Sequence, residues 1–121
     1  MLRMSLEQFE EVVSRALDDL PEEIAAYIDN IAVVVEEEPS AEDFDEVGID
    51  PDEDELFGIY QGMALPERGV TFGPELPDRI VIFRQPLLRA CRDRAELIRE
   101  IQDTVVHEVG HYFGLGEDDL P

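Results

Sequence analysis

His107-Glu108-Val109-Gly110-His111-Tyr112-Phe113-Gly114 contains both histidines of this 121-residue chain. On an α-helix, residues four apart lie on one face a single turn from each other. Two imidazoles at that spacing hold one Zn²⁺ without bending the backbone. Glu108, roughly a quarter turn round the helix, leans over a water on the metal's open position. Zinc lowers the pKa of such a water towards neutrality, and a carboxylate beside it accepts the proton. The pattern therefore needs a helix, and the flanking residues specify one. Leu97, Ile98, Ile101, Val105, Val109 and Phe113 recur at helical spacing, and Asp93 with Glu96 reads as a capping-box start.

Beyond His111, Gly114 stands where the helix is expected to stop in a left-handed residue, with Leu115 as the accompanying hydrophobic contact. The returning chain carries Glu117 and Asp118. Counted from His107, Glu117 falls where the longer zinc-protease motif places a third ligand, and a carboxylate oxygen is an acceptable one. Asp118 is the alternative, and both acids also read as solvated tail charges. Asp103, one turn before His107, is either an orienting partner for that imidazole or an ordinary solvated acid. Gly110, inside the helix, costs roughly 1 kcal/mol relative to alanine. Either a close backbone approach or simple tolerance accounts for it.

Thirty-one acids against nine bases give a formal charge of −22. A field of that sign repels polyphosphates, which argues against nucleic acid or an anionic membrane as a partner. At 121 residues one hydrophobic core is possible but not a large one, so a single domain over 1–121 is expected. No charged-then-apolar leader with a cleavage site is expected, because Met1-Leu2-Arg3-Met4-Ser5 runs straight into a helix, and no apolar run is long enough to span a bilayer. Cytoplasmic residence is the simplest expectation. The single Cys91 has no partner for an intramolecular disulfide and reads as a buried structural thiol.

Twelve of the twenty residues from Glu36 to Glu55 are acidic. Asp50-Pro51-Asp52-Glu53-Asp54 imitates the alternating carboxylates of a calcium loop. However, Glu55 replaces the turn glycine, Gln61 replaces the bidentate acid, and Pro51 disfavours the loop's start. The segment is expected to be a mobile acidic connector, with a lid over the site as its functional reading.

The remaining chain reads as follows. Ser5 and Gln8 form a capping-box pair ahead of Leu6, Phe9, Val13, Ala16, Leu17 and Leu20 at helical spacing. Pro21 opens a short second helix through Ile24, Ala25 and Ile28, and Asp29-Asn30 turns the chain. Ile31 to Val35 is a continuous β-branched run that suggests a strand covered on both faces. Leu56 to Gly62 is a weaker strand whose glycines hint at a bulge or an edge. Met63 to Asp78, with three prolines and two glycines, is an irregular loop. Ile80 to Phe83 is a third strand, and Pro86 suits the first turn of a short helix. The expected fold is α+β: N-terminal helices, a small mixed sheet of about three strands, and a long C-terminal helix carrying the motif.

These segments together resemble the minimal zincin-like metallopeptidases of bacteria over nearly the whole chain. The resemblance rests on the amphipathic first helix, Ile31-Ala32-Val33-Val34-Val35 with its acidic tail, Leu56 to Gly62, Leu76 to Arg84, and His107 to Gly114. It implies a compact zincin core with little beyond it. It also implies zinc ligands at His107 and His111, an acid at the third-ligand position matched by Glu117, and Glu108 as general base. In such proteins a substrate peptide adds itself to an exposed sheet edge above the metal, and Leu56 to Gly62 is the candidate edge. The leading expectation is thus a zinc-dependent peptide hydrolase acting on a peptide or protein. Ten residues follow His111, too few for a far wall to the cleft. No third histidine offers itself to a developing oxyanion, leaving Tyr60, Tyr112 and Arg79 unranked. The competing expectation is a binding or regulatory module on the same scaffold, its zinc structural or absent.

Overall fold

The computed structural model describes residues 2–29, 31–48, 50, 54–62 and 78–112, the side chains of 111 and 112 excepted. Along the chain its elements are α1 (Leu6–Asp18), α2 (Glu22–Ile28), β1 (Ala32–Glu36), α3 (Ala41–Val47), β2 (Gly58–Gln61), β3 (Arg79–Phe83), α4 (Arg84–Ala90) and α5 (Arg94–Tyr112). Asn30 of the expected turn, 51–53 of the calcium-like stretch, the 63–77 loop, and the segment holding Phe113, Gly114, Leu115, Glu117 and Asp118 lie outside the described residues.

The α1 helix starts where its sequence caps it. Ser5 Oγ accepts from the Gln8 N–H at 3.1 Å, and Gln8 Oε1 accepts from the Ser5 N–H at 2.9 Å. Two otherwise orphaned donors are thereby satisfied. Its buried face is Phe9, Val12, Val13 and Ala16, whereas Leu6, the expected start of the stripe, is 46% exposed. In α2, Pro21 is the N-cap and its carbonyl accepts from the Ala25 N–H.

The three strands form a mixed sheet in the order β1-β3-β2, with β1 parallel and β2 antiparallel to β3. The central strand feeds two hydrophobic clusters by strand alternation. Ile80 and Ile82 point to the larger one, with Phe9, Ile24, Leu97, Ile101 and Val105. Val81 and Phe83 point to the smaller one, with Leu56 and Ile59. Burying such a side chain contributes roughly 1.5–3 kcal/mol, so β3 is the strand whose truncation the fold tolerates least. The β-branched run of β1 is covered on both faces, as expected, Val33 and Val35 packing on the larger cluster and Val34 on the smaller; among the described strands it is an edge and stays half-buried. Its pattern signals strand propensity, and pairing on one side only leaves its outer rim in solvent.

From β3 the chain enters α4 with Pro86 in the first turn, as expected of a residue lacking an N–H. Asp93 caps α5, accepting from the Glu96 N–H at 2.8 Å, while Glu96 reaches back to the Arg92 N–H at 2.8 Å. Leu97, Ile101, Val105 and Val109 are fully buried along α5. The helix packs on α1, where Gln102 Nε2 also donates to the Ala16 carbonyl. Cys91 is buried at the α4–α5 junction.

The acidic connector contains a helix, α3, that its composition conceals. Ser40 and Asp43 form a reciprocal capping box for α3, and Gly48 ends that helix with φ of 73°, a left-handed conformation suited to glycine. Phe44 anchors α3 on the smaller cluster. Arg89 bridges Glu38 at 3.0 Å and Glu55 at 3.2 Å, tying the two ends of the connector to α4. Gln85 and Arg84 bind the Glu37 carboxylate and hold its pKa below the ordinary value. Among the described residues no helix is long and apolar enough to cross a membrane.

Candidate active site

Burial along α5 decides which face meets solvent. Val105 and Val109 point into the core, leaving Asp103, Thr104, His107 and Glu108 on the side turned to β2. His107 is exposed and Glu108 half-buried. His111 is on α5 four residues after His107, so the helical repeat places its backbone position one turn further along that face. Its side chain, together with Glu117 and Asp118, lies outside the described residues. Among the described residues, no group of three or more His, Cys, Asp or Glu side chains is placed to hold a metal ion.

Glu108 Oε1 accepts a hydrogen bond from the backbone N–H of Tyr60 at 3.0 Å. Among the described strands β2 is an edge, as expected, and its register explains this contact. The Phe83 N–H donates to the Phe57 carbonyl, so alternation turns the amide groups of Gly58 and Tyr60 away from β3. The carboxylate on α5 takes up one of these outward donors, fixing Glu108 relative to the sheet edge.

Gly58 permits the approach of α5 to β2. A Cβ built there would lie 2.7 Å from Thr104 Cγ2 and 3.0 Å from the Val81 carbonyl oxygen. The sequence suggested a bulge or edge at this glycine; the close helix contact is the reason for it.

Of the three candidate oxyanion donors, Tyr60 lines the cleft, and its hydroxyl donates to Asp78 Oδ2 at 3.0 Å. Arg79 turns its Nε to Gln61 Oε1 at 2.6 Å and is not among the described lining residues. The side chain of Tyr112 lies outside the described residues.

His107 and Glu108 open onto a cavity of about 640 Å³ between α3, β2 and α5. Leu56, Phe57 and Ile59 give it an apolar side, and Glu46 and Val47 at the end of α3 close another. These described walls come from chain that precedes the motif. The acidic connector therefore contributes to the site through α3, a capped helix within a stretch expected to be a loop. Sequence reading missed Glu46, Glu100 and Thr104. Ser40 and Asp43 signalled α3, and the spacing 100, 103/104, 107/108 marked one continuous helix face.

A family model described as zincin-like metallopeptidase matches residues 28–121. No curated protein matches the chain. Among solved structures, a conserved hypothetical protein from Thermo thermophilus is similar in fold, with a TM-score of 0.55 and 19% identity. The alignment covers 91% of this chain and 94% of that one.

Proposed function

Given that the chain belongs to the zincin-like metallopeptidase family, we propose that it is a zinc-dependent hydrolase of peptide bonds, with Glu108 as general base. The donor set suits the ion. His107 and His111 occupy helix positions one turn apart, and Glu117 at the motif's third-ligand position offers a carboxylate, leaving a fourth position for water. Bound there, zinc supplies a Lewis acid that polarises the scissile carbonyl and lowers the pKa of a water.

The chain's own residues then do the following. Beside Glu108, the edge of β2 turns the amide groups of Gly58 outward, and along that edge an extended peptide aligns as an added strand. Glu108, held by the Tyr60 N–H, takes the proton of the attacking water and passes it to the leaving amine nitrogen. The single observation that carries this reading is the contact between Glu108 and Tyr60. It joins the carboxylate of the motif to the strand edge that would bear the substrate.

The partner this requires is a peptide or protein, and a net charge of −22 disfavours nucleic acid and anionic membrane surfaces. A lone thiol, Cys91, suits a cytoplasmic setting. The test is hydrolysis of a diverse peptide library by zinc-loaded protein beside Glu108→Gln. Cleavage by the wild type and none by the variant is expected. Cleavage undiminished in the variant overturns the assignment of Glu108, and no cleavage by either favours a binding module on this scaffold.

A further inference from the structure

Backbone hydrogen bonds along β2 single out one residue. Ile59 and Gln61 turn their amide groups to β3, while those of Gly58 and Tyr60 turn away from it. The Tyr60 N–H is taken by Glu108 Oε1 at 3.0 Å. Gly58 is buried, yet among the described residues neither its N–H nor its carbonyl has a hydrogen-bond partner. Nearly all buried backbone polar groups in folded proteins are paired, so this donor and acceptor need a partner from elsewhere. Gly58 lines the same cavity as His107 and Glu108.

A donor and an acceptor on one strand residue, both turned outward, are what another extended backbone matches. In an antiparallel pair one opposing residue exchanges both N–H···O bonds, whereas a parallel strand divides them between two residues in a slanted, slightly weaker pattern. The next outward position, Tyr60, lies two residues on, roughly 7 Å along the strand. There the acceptor that an added strand would bring is already supplied by the motif's own carboxylate. Glu108 therefore ends the edge. Pairing reaches Gly58 and stops beside the general base.

We propose that a peptide is held at a single backbone pairing position. One of its residues, antiparallel to Gly58, gives its N–H to the Gly58 carbonyl and accepts the Gly58 N–H. That residue lies within about two positions of the bond placed at Glu108. Proline is excluded there, because it has no N–H to give and its ring would meet the Gly58 carbonyl, and it is tolerated at the neighbouring positions. The location of the bond rests on the peptide-hydrolase reading; the pairing does not. The observation that carries it is a buried, unpartnered backbone donor and acceptor next to one that Glu108 has already taken.

Amide exchange, read residue by residue by NMR on the full-length chain without added zinc, tests this independently of activity. The probe is a pool of end-capped heptapeptides random at every position, beside the same pool with every backbone nitrogen methylated. In the free chain the Tyr60 N–H should exchange more slowly than the Gly58 N–H, and Glu108→Ala should speed it at least about tenfold. The unmethylated pool should slow exchange at Gly58 at least about tenfold and leave Tyr60 unchanged. In Glu108→Ala the same pool should slow both, because the edge then runs on. Exchange at Gly58 that the pool leaves unaffected, or that the methylated pool slows equally, overturns the proposal. So does a wild-type Tyr60 N–H that exchanges as fast as that of Gly58. Cleavage of the unmethylated pool by the zinc-loaded wild type reads the hydrolase assignment separately. The cut peptides should lack proline at one position only within about two residues of the cut. Proline accepted at all of these positions overturns the single pairing position alone, and protection of Gly58 without any cleavage overturns the hydrolase reading alone.

Discussion

Replacing Gly58 with alanine tests the contact that sets the cleft's geometry. The added Cβ would meet Thr104 Cγ2 at 2.7 Å and the Val81 carbonyl oxygen at 3.0 Å. Carbon atoms pack best at about 3.5–4.0 Å, so β2 and α5 must separate by roughly 0.8 Å or Thr104 must turn. Overpacking of this kind costs about 1–3 kcal/mol. Reduced freedom of the unfolded chain offsets about 0.4–1 kcal/mol of that. The net expectation is a loss of about 1–2 kcal/mol, read as a lower urea midpoint at unchanged slope. Thr104→Ser removes the offending methyl while retaining the hydroxyl that donates to the Glu100 carbonyl. It leaves the Val81 contact, so the double variant should recover about half of the loss, with a coupling of at least about 0.5 kcal/mol. The same separation would stretch the Tyr60–Glu108 bond from 3.0 Å past hydrogen-bonding range. Hydrolysis should therefore fall by more than stability does. Stability of Gly58→Ala within about 0.3 kcal/mol of wild type, or strictly additive effects with Thr104→Ser, would refute this reasoning.

Further expectations concern the connector, the thiol and the base. Ser40→Ala removes one half of the α3 capping box and should cost about 1 kcal/mol, seen as faster amide exchange across Ala41–Val47. Arg89→Met breaks the bridge to Glu38 and Glu55, and because Arg89 is 40% exposed the loss should be at most about 1 kcal/mol and shrink in high salt. Burial, then the nearby Glu100, Glu96 and Asp93 carboxylates, push the Cys91 thiol up to about 11. Its alkylation at pH 8 should thus be far slower than that of an unfolded-chain thiol with a pKa of about 8.5. The unfolded chain releases that proton first, so stability should decline as pH rises from about 8.5 towards 11. Cys91→Ala should lack that slope. Glu108→Gln should retain bound zinc and stability while losing hydrolysis, since the amide oxygen still accepts from the Tyr60 N–H.

The parts of the fold legible in sequence were those specified by local chemistry. Ser5 with Gln8 and Asp93 with Glu96 marked helix starts, and the stripe from Leu97 to Val109 marked the buried face of α5. Pairing order was harder to read, because β-branched residues in β1 and β3 look alike until a neighbour on each side distinguishes them. Thus Val33–Val35 reads correctly as covered on both faces, but nothing in it tells that β3 and not β1 takes the central place. In the connector, charge density concealed α3, whose capping box and Phe44 anchor were nonetheless present. That His107 and Glu108 stand on one long helix was legible from spacing alone. Their relation to Tyr60 was not, because a backbone donor leaves no trace in residue identity.

Metal analysis of purified, zinc-reconstituted protein, alongside His107→Ala, His111→Ala and Glu117→Ala, tests the central claim most directly. One tightly held zinc per chain in the wild type, lost or greatly weakened in each variant, is the predicted result. A wild-type chain that binds no zinc after reconstitution, or one whose zinc survives loss of both histidines, would contradict it.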